Sequence, residues 1–192
     1  NSPFFIQAYA GIIHSGNTAV VIDTKSSPKD IEQIITRCSI QIVFADQKYE
    51  SLLAGVKVLS SQPVDITHSD MSFHSHIPKD ECAVIIFTSG STGVKKGVML
   101  THKNLIANTN SILQYLNLSS DDRMMVVLPF FYCYGASLLH THIRVGGSLV
   151  LNQSPFLGGA LKGIHEFQCT GFAGVPSTFL ILVQKTPFLT MR

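Results

Sequence analysis

Charge is scarce in this chain of 192 residues: 14% of positions are Asp, Glu, Lys or Arg, and the formal net charge is +2. Surfaces that bind nucleic acid or anionic membranes carry a basic excess, so the composition makes no case for either partner. Low charge combined with a mean hydropathy of +0.28 implies instead that part of the surface is normally covered. Cysteine is limited to Cys38, Cys82, Cys133 and Cys169, at no metal or redox spacing. They read as reduced thiols of a cytoplasmic protein, three of them in apolar surroundings. No basic-then-apolar leader and no initiator Met open the sequence, which starts in the first turn of an expected helix and stops just after another. Both ends therefore read as cut from something longer, and the length suits a single partial domain over 1–192.

The common nucleotide fingerprints are also missing. A Walker A loop needs glycine, four residues and then Gly-Lys-Ser/Thr, but Lys95 stands five positions after Gly90. The dinucleotide pattern Gly-x-Gly-x-x-Gly fails as well, because Gly90 and Gly93 are separated by Ser91 and Thr92.

What is present is a different phosphate loop. Ala83 to Phe87 is an uncharged, β-branched and aromatic run that reads as a strand buried on both faces. It leads into Thr88-Ser89-Gly90-Ser91-Thr92-Gly93-Val94-Lys95-Lys96-Gly97-Val98. Glycines let the backbone approach a ligand, freed N–H groups and hydroxyls donate to phosphate oxygens, and a lysine supplies charge. A flexible linker would need neither the buried strand before it nor the apolar Gly97-Val98-Met99-Leu100 after it, which is expected to return as a hairpin.

The remaining pattern alternates helices and strands. Ser2-Pro3 and Ser27-Pro28 are helix starts with a capping serine and a proline in the first turn, and Asp30 completes a capping-box-like pattern. Strands are expected over Thr18–Asp23, Ile40–Ala45, Val56–Leu59, Ala83–Thr88 and Met124–Leu128, a turn and strand over 146–151, a last strand with its exit loop over 170–176, and a short helix over Gln47–Ala54. Thr101 is the expected N-cap of a helix burying Leu105, Ile106, Ile112, Leu113 and Leu116. Pro155–Gln168 reads as a helix with Leu157, Leu161 and Ile164 on one face, and Pro176 starts another. This pitch predicts an α/β fold: a layered, mostly parallel, doubly wound sheet with helices on both faces. Met124 to Ile143 holds twenty residues without a charge, yet Pro129, Gly135, His140 and His142 favour a buried strand, loop and helix over a membrane span. His68, His74 and His76 fall in a surface connection, where His74 and His76 lack a third ligand at metal spacing. His140 and His142, two apart, share no helix face.

The segment Thr88 to Val98 resembles the signature of the adenylate-forming superfamily: acyl-CoA synthetases, coumarate-type CoA ligases, luciferases and peptide-synthetase adenylation domains. The family usually has proline where Lys95 stands, so Lys96 matches the family lysine. Asn1-Ser2-Pro3, the run Pro129-Phe130-Phe131-Tyr132-Cys133-Tyr134-Gly135 and Gly174-Val175-Pro176 resemble further family segments, with Tyr132 at the usual histidine position. The resemblance implies part of the large N-terminal domain, without the rest of that domain or the C-terminal lid. It implies an ATP- and Mg²⁺-dependent ligase that converts a carboxylic acid into an acyl-adenylate and passes the acyl group to CoA or a phosphopantetheine carrier. Thr88, Ser89, Gly90, Ser91, Thr92, Gly93 and Lys96 would hold the phosphates, with Lys96 catalytic. Tyr132, Tyr134, Gly135 and Val175 would line the acyl site, and no residue is assigned to the metal. Tyr132 and Tyr134 are expected at the pocket and not in the core, because a buried phenol would need a hydrogen-bond partner. Phe130 and Phe131 read as core. The family's later motifs have no counterpart in these residues, so the fragment alone is expected to be inactive. The alternatives are a noncatalytic scaffold on the same fold and an unrelated phosphoryl transferase.

Overall fold

A computed structural model describes residues 1–53, 55–60, 78–88, 95–152, 154 and 156–190. It divides into two units, 2–103 and Asn1 with 104–192.

In the first unit, helix α1 (Pro3–His14) starts where Ser2 accepts a hydrogen bond from the Phe5 amide at 3.1 Å, with proline in the first turn. Strand β1 (Ala19–Val21) follows, then α2 (Pro28–Arg37), whose cap Ser27 accepts from the Asp30 amide at 3.1 Å. The helix buries Ile31 and Ile34, two members of the predicted stripe. β2 (Ile42–Phe44), a 3₁₀ turn over Gln47–Leu52 and β3 (Lys57–Leu59) complete a parallel pair. The expected short helix at Gln47 is thus the tighter 3₁₀ form, which suits short pieces.

β4 (Cys82–Thr88) is the centre of the unit's three-stranded sheet, ordered β1-β4-β5. It runs parallel to β1 and antiparallel to β5 (Lys96–Thr101), as the expected hairpin requires. Ala83 and Val84 are both at most 1% exposed. Neighbouring positions on a strand point to opposite faces, so β4 is covered on both sides where it begins.

Helix α3 (His102–Leu116) starts directly after Thr101. Its burial differs from expectation: Thr109 is the buried residue, while Ile106 and Leu116 are 48% and 49% exposed. Each residue advances about 100° around a helix, so Ile106 stands a quarter-turn from Leu105 and off the packed stripe. Leu116 is the final residue, where the packed face ends.

The second unit is built on β6 (Arg123–Val126), flanked by β7 (Ser148–Leu151) and β8 (Gly171–Phe172), all parallel. Helix α4 (Cys133–Val145) joins β6 to β7, α5 (Leu157–Glu166) joins β7 to β8, and α6 (Pro176–Lys185) follows. A 3₁₀ turn spans Phe188–Thr190. Met125, Val126, Phe130, Leu139, Ala160 and Leu182 are each at most 2% exposed and form the core. The charge-free run from Met124 to Ile143 is therefore a central strand, a loop and a packed helix. Among the described residues no helix is long and apolar enough to cross a membrane. Both units show the α/β class, with four of the five strand pairings parallel.

Candidate functional site

The hairpin β4–β5 brings the two ends of the hydroxyl-rich segment together. Thr88 pairs directly with Lys96, and residues directly opposite on antiparallel strands share a face, with Cβ atoms about 5 Å apart. The Thr88 hydroxyl donates to the Lys96 carbonyl at 3.5 Å, closing the stem. Thr88 thus stands at the carboxyl end of the parallel pair β1/β4, the edge at which open α/β sheets present ligands. Ser89, Gly90, Ser91, Thr92 and Gly93 lie outside the described residues, as do His68, His74 and His76.

The two lysines at the stem have different fates. The Lys95 ammonium lies 3.3 Å from an Asp30 carboxylate oxygen and donates to the Ser26 hydroxyl at 2.8 Å. The Asp30 pKa is lowered from 3.8, first by its hydrogen bond with Ser27 and then by Lys95. Lys96 is exposed, and among the described residues its ammonium has no ion-pair or hydrogen-bond partner. A solvated cation beside a hydroxyl at a strand end suits a polyphosphate.

The second candidate segment leaves β6. Phe130 is 2% exposed, and its amide donates to the Asn1 side-chain oxygen at 2.8 Å, while the Asn1 amide donates to the Leu128 carbonyl at 2.8 Å. Asn1 thereby pairs with the strand exit as another peptide group would. The Tyr132 amide donates to the Pro129 carbonyl at 3.2 Å, and Tyr132 is the N-cap residue of α4. Gly135 is buried in the first turn of that helix, where an added Cβ would overlap the Pro129 carbonyl oxygen and stand 2.6 Å from its carbon. No other residue type fits.

Tyr132 and Tyr134 are 51% and 46% exposed and so are not core-filling groups. Both sit at the open start of α4, where water can satisfy a hydroxyl and the Phe131 ring covers one side of Tyr132 at 5.0 Å between centroids. Val175 is the N-cap residue of α6, 40% exposed, and its carbonyl accepts from the Thr178 amide at 2.8 Å.

The histidines of α4 are packed groups. His142 is 1% exposed, with Nδ1 at 2.9 Å from the Leu138 carbonyl, and burial lowers the His140 pKa from 6.5 to about 4. Among the described residues no group of three or more His, Cys, Asp or Glu could hold a metal ion. The four cysteines are free, and burial raises the pKa of Cys38 and Cys169. Sequence reasoning missed Ser26, Asp30 and Arg37 as neighbours of the loop. They are separated from Lys95 by 58 to 69 positions in the case of Arg37 and Ser26, and no local pattern reports a contact at that range.

Comparison with known proteins agrees with this architecture. The model of the AMP-binding enzyme family matches residues 1–191. The 4-coumarate–CoA ligase-like 6 of Arabidopsis thaliana is 29% identical over 96% of this chain and 37% of its own length. The D-alanine–D-alanyl carrier protein ligase of Staphylococcus aureus is 29% identical over 78% of this chain and 31% of its own. In structure, the o-succinylbenzoate coenzyme A synthetase of Bacillus subtilis, solved with ATP and magnesium ion, superimposes with a TM-score of 0.85 at 21% identity, over 96% of this chain and 51% of that one. The chain thus spans about a third of the length of these relatives and about half of that solved structure. Its match along almost every residue, together with the shared α/β architecture, makes it a member of the AMP-binding enzyme family, the adenylate-forming superfamily of acyl-CoA synthetases.

Proposed function

We propose that these residues form the phosphate-binding part of a ligase that activates a carboxylic acid with ATP and transfers the acyl group to a thiol. The observation that carries this reading is the exposed Lys96 ammonium, without a partner among the described residues, opposite Thr88 at the end of the β4–β5 hairpin. In the first step a substrate carboxylate oxygen attacks the α-phosphorus of ATP. A P–O bond forms as the bond to pyrophosphate breaks, leaving an acyl-adenylate. In the second step a thiol sulfur attacks the acyl carbon and AMP leaves. Two anions must meet in the first step, and charge accumulates on the departing pyrophosphate, so cations and donors are needed on the phosphate side. Lys96 supplies the cation and Thr88 a hydroxyl. Ser89, Gly90, Ser91, Thr92 and Gly93 are proposed to supply further hydroxyl and backbone donors. Mg²⁺, bound by the nucleotide phosphates, would add charge neutralisation.

Tyr132, Tyr134, Gly135 and Val175 are proposed to bound the acyl site, with Gly135 fixing the loop and the tyrosines facing the substrate. The names of the relatives support either CoA or a carrier protein as the acceptor. Residues 1–192 alone are proposed to be inactive in the full cycle.

The test is ATP–pyrophosphate exchange by the full-length protein over a panel of fatty, aromatic and amino acids. A charge-assisted hydrogen bond to phosphate contributes about 1.5 to 3 kcal/mol, roughly one to two decades. Lys96→Ala is expected to slow exchange by that factor. Exchange at the parent rate would remove Lys96 from the site, and release of ADP or orthophosphate in place of AMP and pyrophosphate would replace the reaction by phosphoryl transfer.

A further inference from the structure

Lys95 stands where relatives of this family usually carry proline, and its surroundings show what holds the turn instead. The ammonium donates to the Ser26 hydroxyl at 2.8 Å and lies 3.3 Å from the Asp30 carboxylate. At the other end of the same residue, the Arg37 guanidinium donates to the Lys95 carbonyl at 2.9 Å. All three partners belong to the turn after β1 or to α2. Asp30 is itself fixed, because its amide donates to the Ser27 cap of that helix. The Lys95 and Asp30 side chains are 30% and 34% exposed, so the pair is partly shielded from water.

A proline restrains φ covalently, near −65°. Lysine leaves φ free, and the restraint must come from contacts. Here one side chain and one carbonyl are gripped by a single helix and its leading turn. The contacts act on the residue whose carbonyl carbon is bonded to the Lys96 nitrogen, so they set the direction in which Lys96 leaves the backbone. Successive side chains of an extended segment point to opposite sides. Lys95 is directed to α2, and Lys96, the first residue of β5, lies opposite Thr88 on one face of the hairpin.

We propose that Lys95 is a positioning residue for nucleotide binding, its bonds to Ser26 and Asp30 and the Arg37 bond to its carbonyl replacing the rigidity of proline and aiming Lys96 at the phosphates. The inference rests on the phosphate-binding role proposed above for Lys96. It requires that the anchor and a proline be interchangeable and that the effect fall on the nucleotide, not on the acid.

The experiment uses ATP–pyrophosphate exchange by the full-length protein, with KM measured separately for MgATP and for the best acid of the panel. Lys95→Ala is expected to raise KM for MgATP about threefold to tenfold, the loss of one to two modest polar contacts, with KM for the acid unchanged. Asp30→Ala is expected to give a similar rise, and the double variant no more than the larger single one, because both remove the same contact. Lys95→Arg and Lys95→Pro are expected to restore KM for MgATP, the first by keeping the ion pair and the second by fixing φ. The outcome that overturns the proposal is an unchanged KM for MgATP in Lys95→Ala while Lys96→Ala still impairs exchange; the phosphate reading then survives alone. Equal rises in both KM values with a lowered melting temperature also overturn it, since that pattern is a general loss of structure. If Lys96→Ala leaves exchange intact, the underlying reading fails instead.

Discussion

The two segments that leave the parallel strands β4 and β6 are built on opposite plans. At the end of β4, Thr88 and Lys96 face outward from a hairpin stem, with the lysine free of any carboxylate among the described residues. At the end of β6 the chain folds tightly back on itself: Phe130 enters the core, Asn1 bonds both Leu128 and Phe130, and Gly135 lies against the Pro129 carbonyl. The first plan leaves the Lys96 ammonium without a partner among the described residues. The second commits Phe130, Gly135 and the backbone between them to packing. Uncommitted donors and cations cost little while solvated and become useful when an anion arrives, whereas a tight backbone crossing tolerates no added atom. Residues of one family signature can therefore be kept for different reasons: Lys96 for the ligand chemistry proposed above, and Gly135 for the absence of space.

The sharpest way to break this contrast is Gly135→Ala. The added methyl would meet backbone, namely the Pro129 carbonyl group and, at 3.1 Å, the Leu128 oxygen. Backbone held between a core strand and a helix start cannot step aside by rotating a side chain. The expected cost is about 3 kcal/mol or more, read as a fall in the denaturation midpoint of the full-length protein. A loss below about 1 kcal/mol would mean that the loop after β6 is as accommodating as the hairpin.

The packed plan also predicts a pH dependence. Burial lowers the His140 pKa from 6.5 to about 4, because desolvation disfavours the imidazolium. Between those values the unfolded chain binds a proton that the folded chain refuses. Stability contributed by keeping His140 neutral is thus complete above pH 6.5 and is lost as pH falls toward 4, on the order of 3 kcal/mol in all. Asp30 and Asp122 have lowered pKa values, so their contributions are lost only below the ordinary carboxylate range near 3.8. Urea midpoints measured from pH 7 to 4.5 should therefore decline in the parent more steeply than in His140→Gln. Parallel curves would show that water reaches this part of α4.

How much of this was legible in the sequence follows the range of the interactions. Helix starts are local, and Ser2-Pro3, Ser27-Pro28 and Pro176 all stand where expected. The β4–β5 hairpin was legible because a buried strand and an apolar return flank one polar bend. Strand ends were less so: Thr18–Asp23 contracts to Ala19–Val21 and Ile40–Ala45 to Ile42–Phe44, since a strand extends only as far as its partner pairs with it. Within the aromatic run Phe130 is packed as core while Tyr132 and Tyr134 are exposed, since the first residues of a helix need not face inward. The grip of Ser26, Asp30 and Arg37 on Lys95 was invisible. Nothing in a sequence without paired variation links residues so far apart.

The smallest expected effect tests the open side of the contrast. A Cβ on Gly97 would stand 2.9 Å from Ile85 Cγ2 and 3.2 Å from Phe87 Cζ, so the obstruction is side chain, where at Gly135 it is backbone. Phe87 pairs directly with Gly97, and its ring occupies the space that another residue's side chain would fill. Ile85 and Phe87 are both only half-buried and β5 is exposed along most of its length, so both side chains can give by a few tenths of an ångström. Gly97→Ala should therefore cost about 1 kcal/mol, partly offset by the lower entropy of the unfolded chain. Equilibrium unfolding of the full-length variant measures it. A cost equal to that of Gly135→Ala would mean the hairpin stem is as rigidly packed as the loop after β6, and the distinction between a ligand-shaped and a packing-shaped segment would collapse.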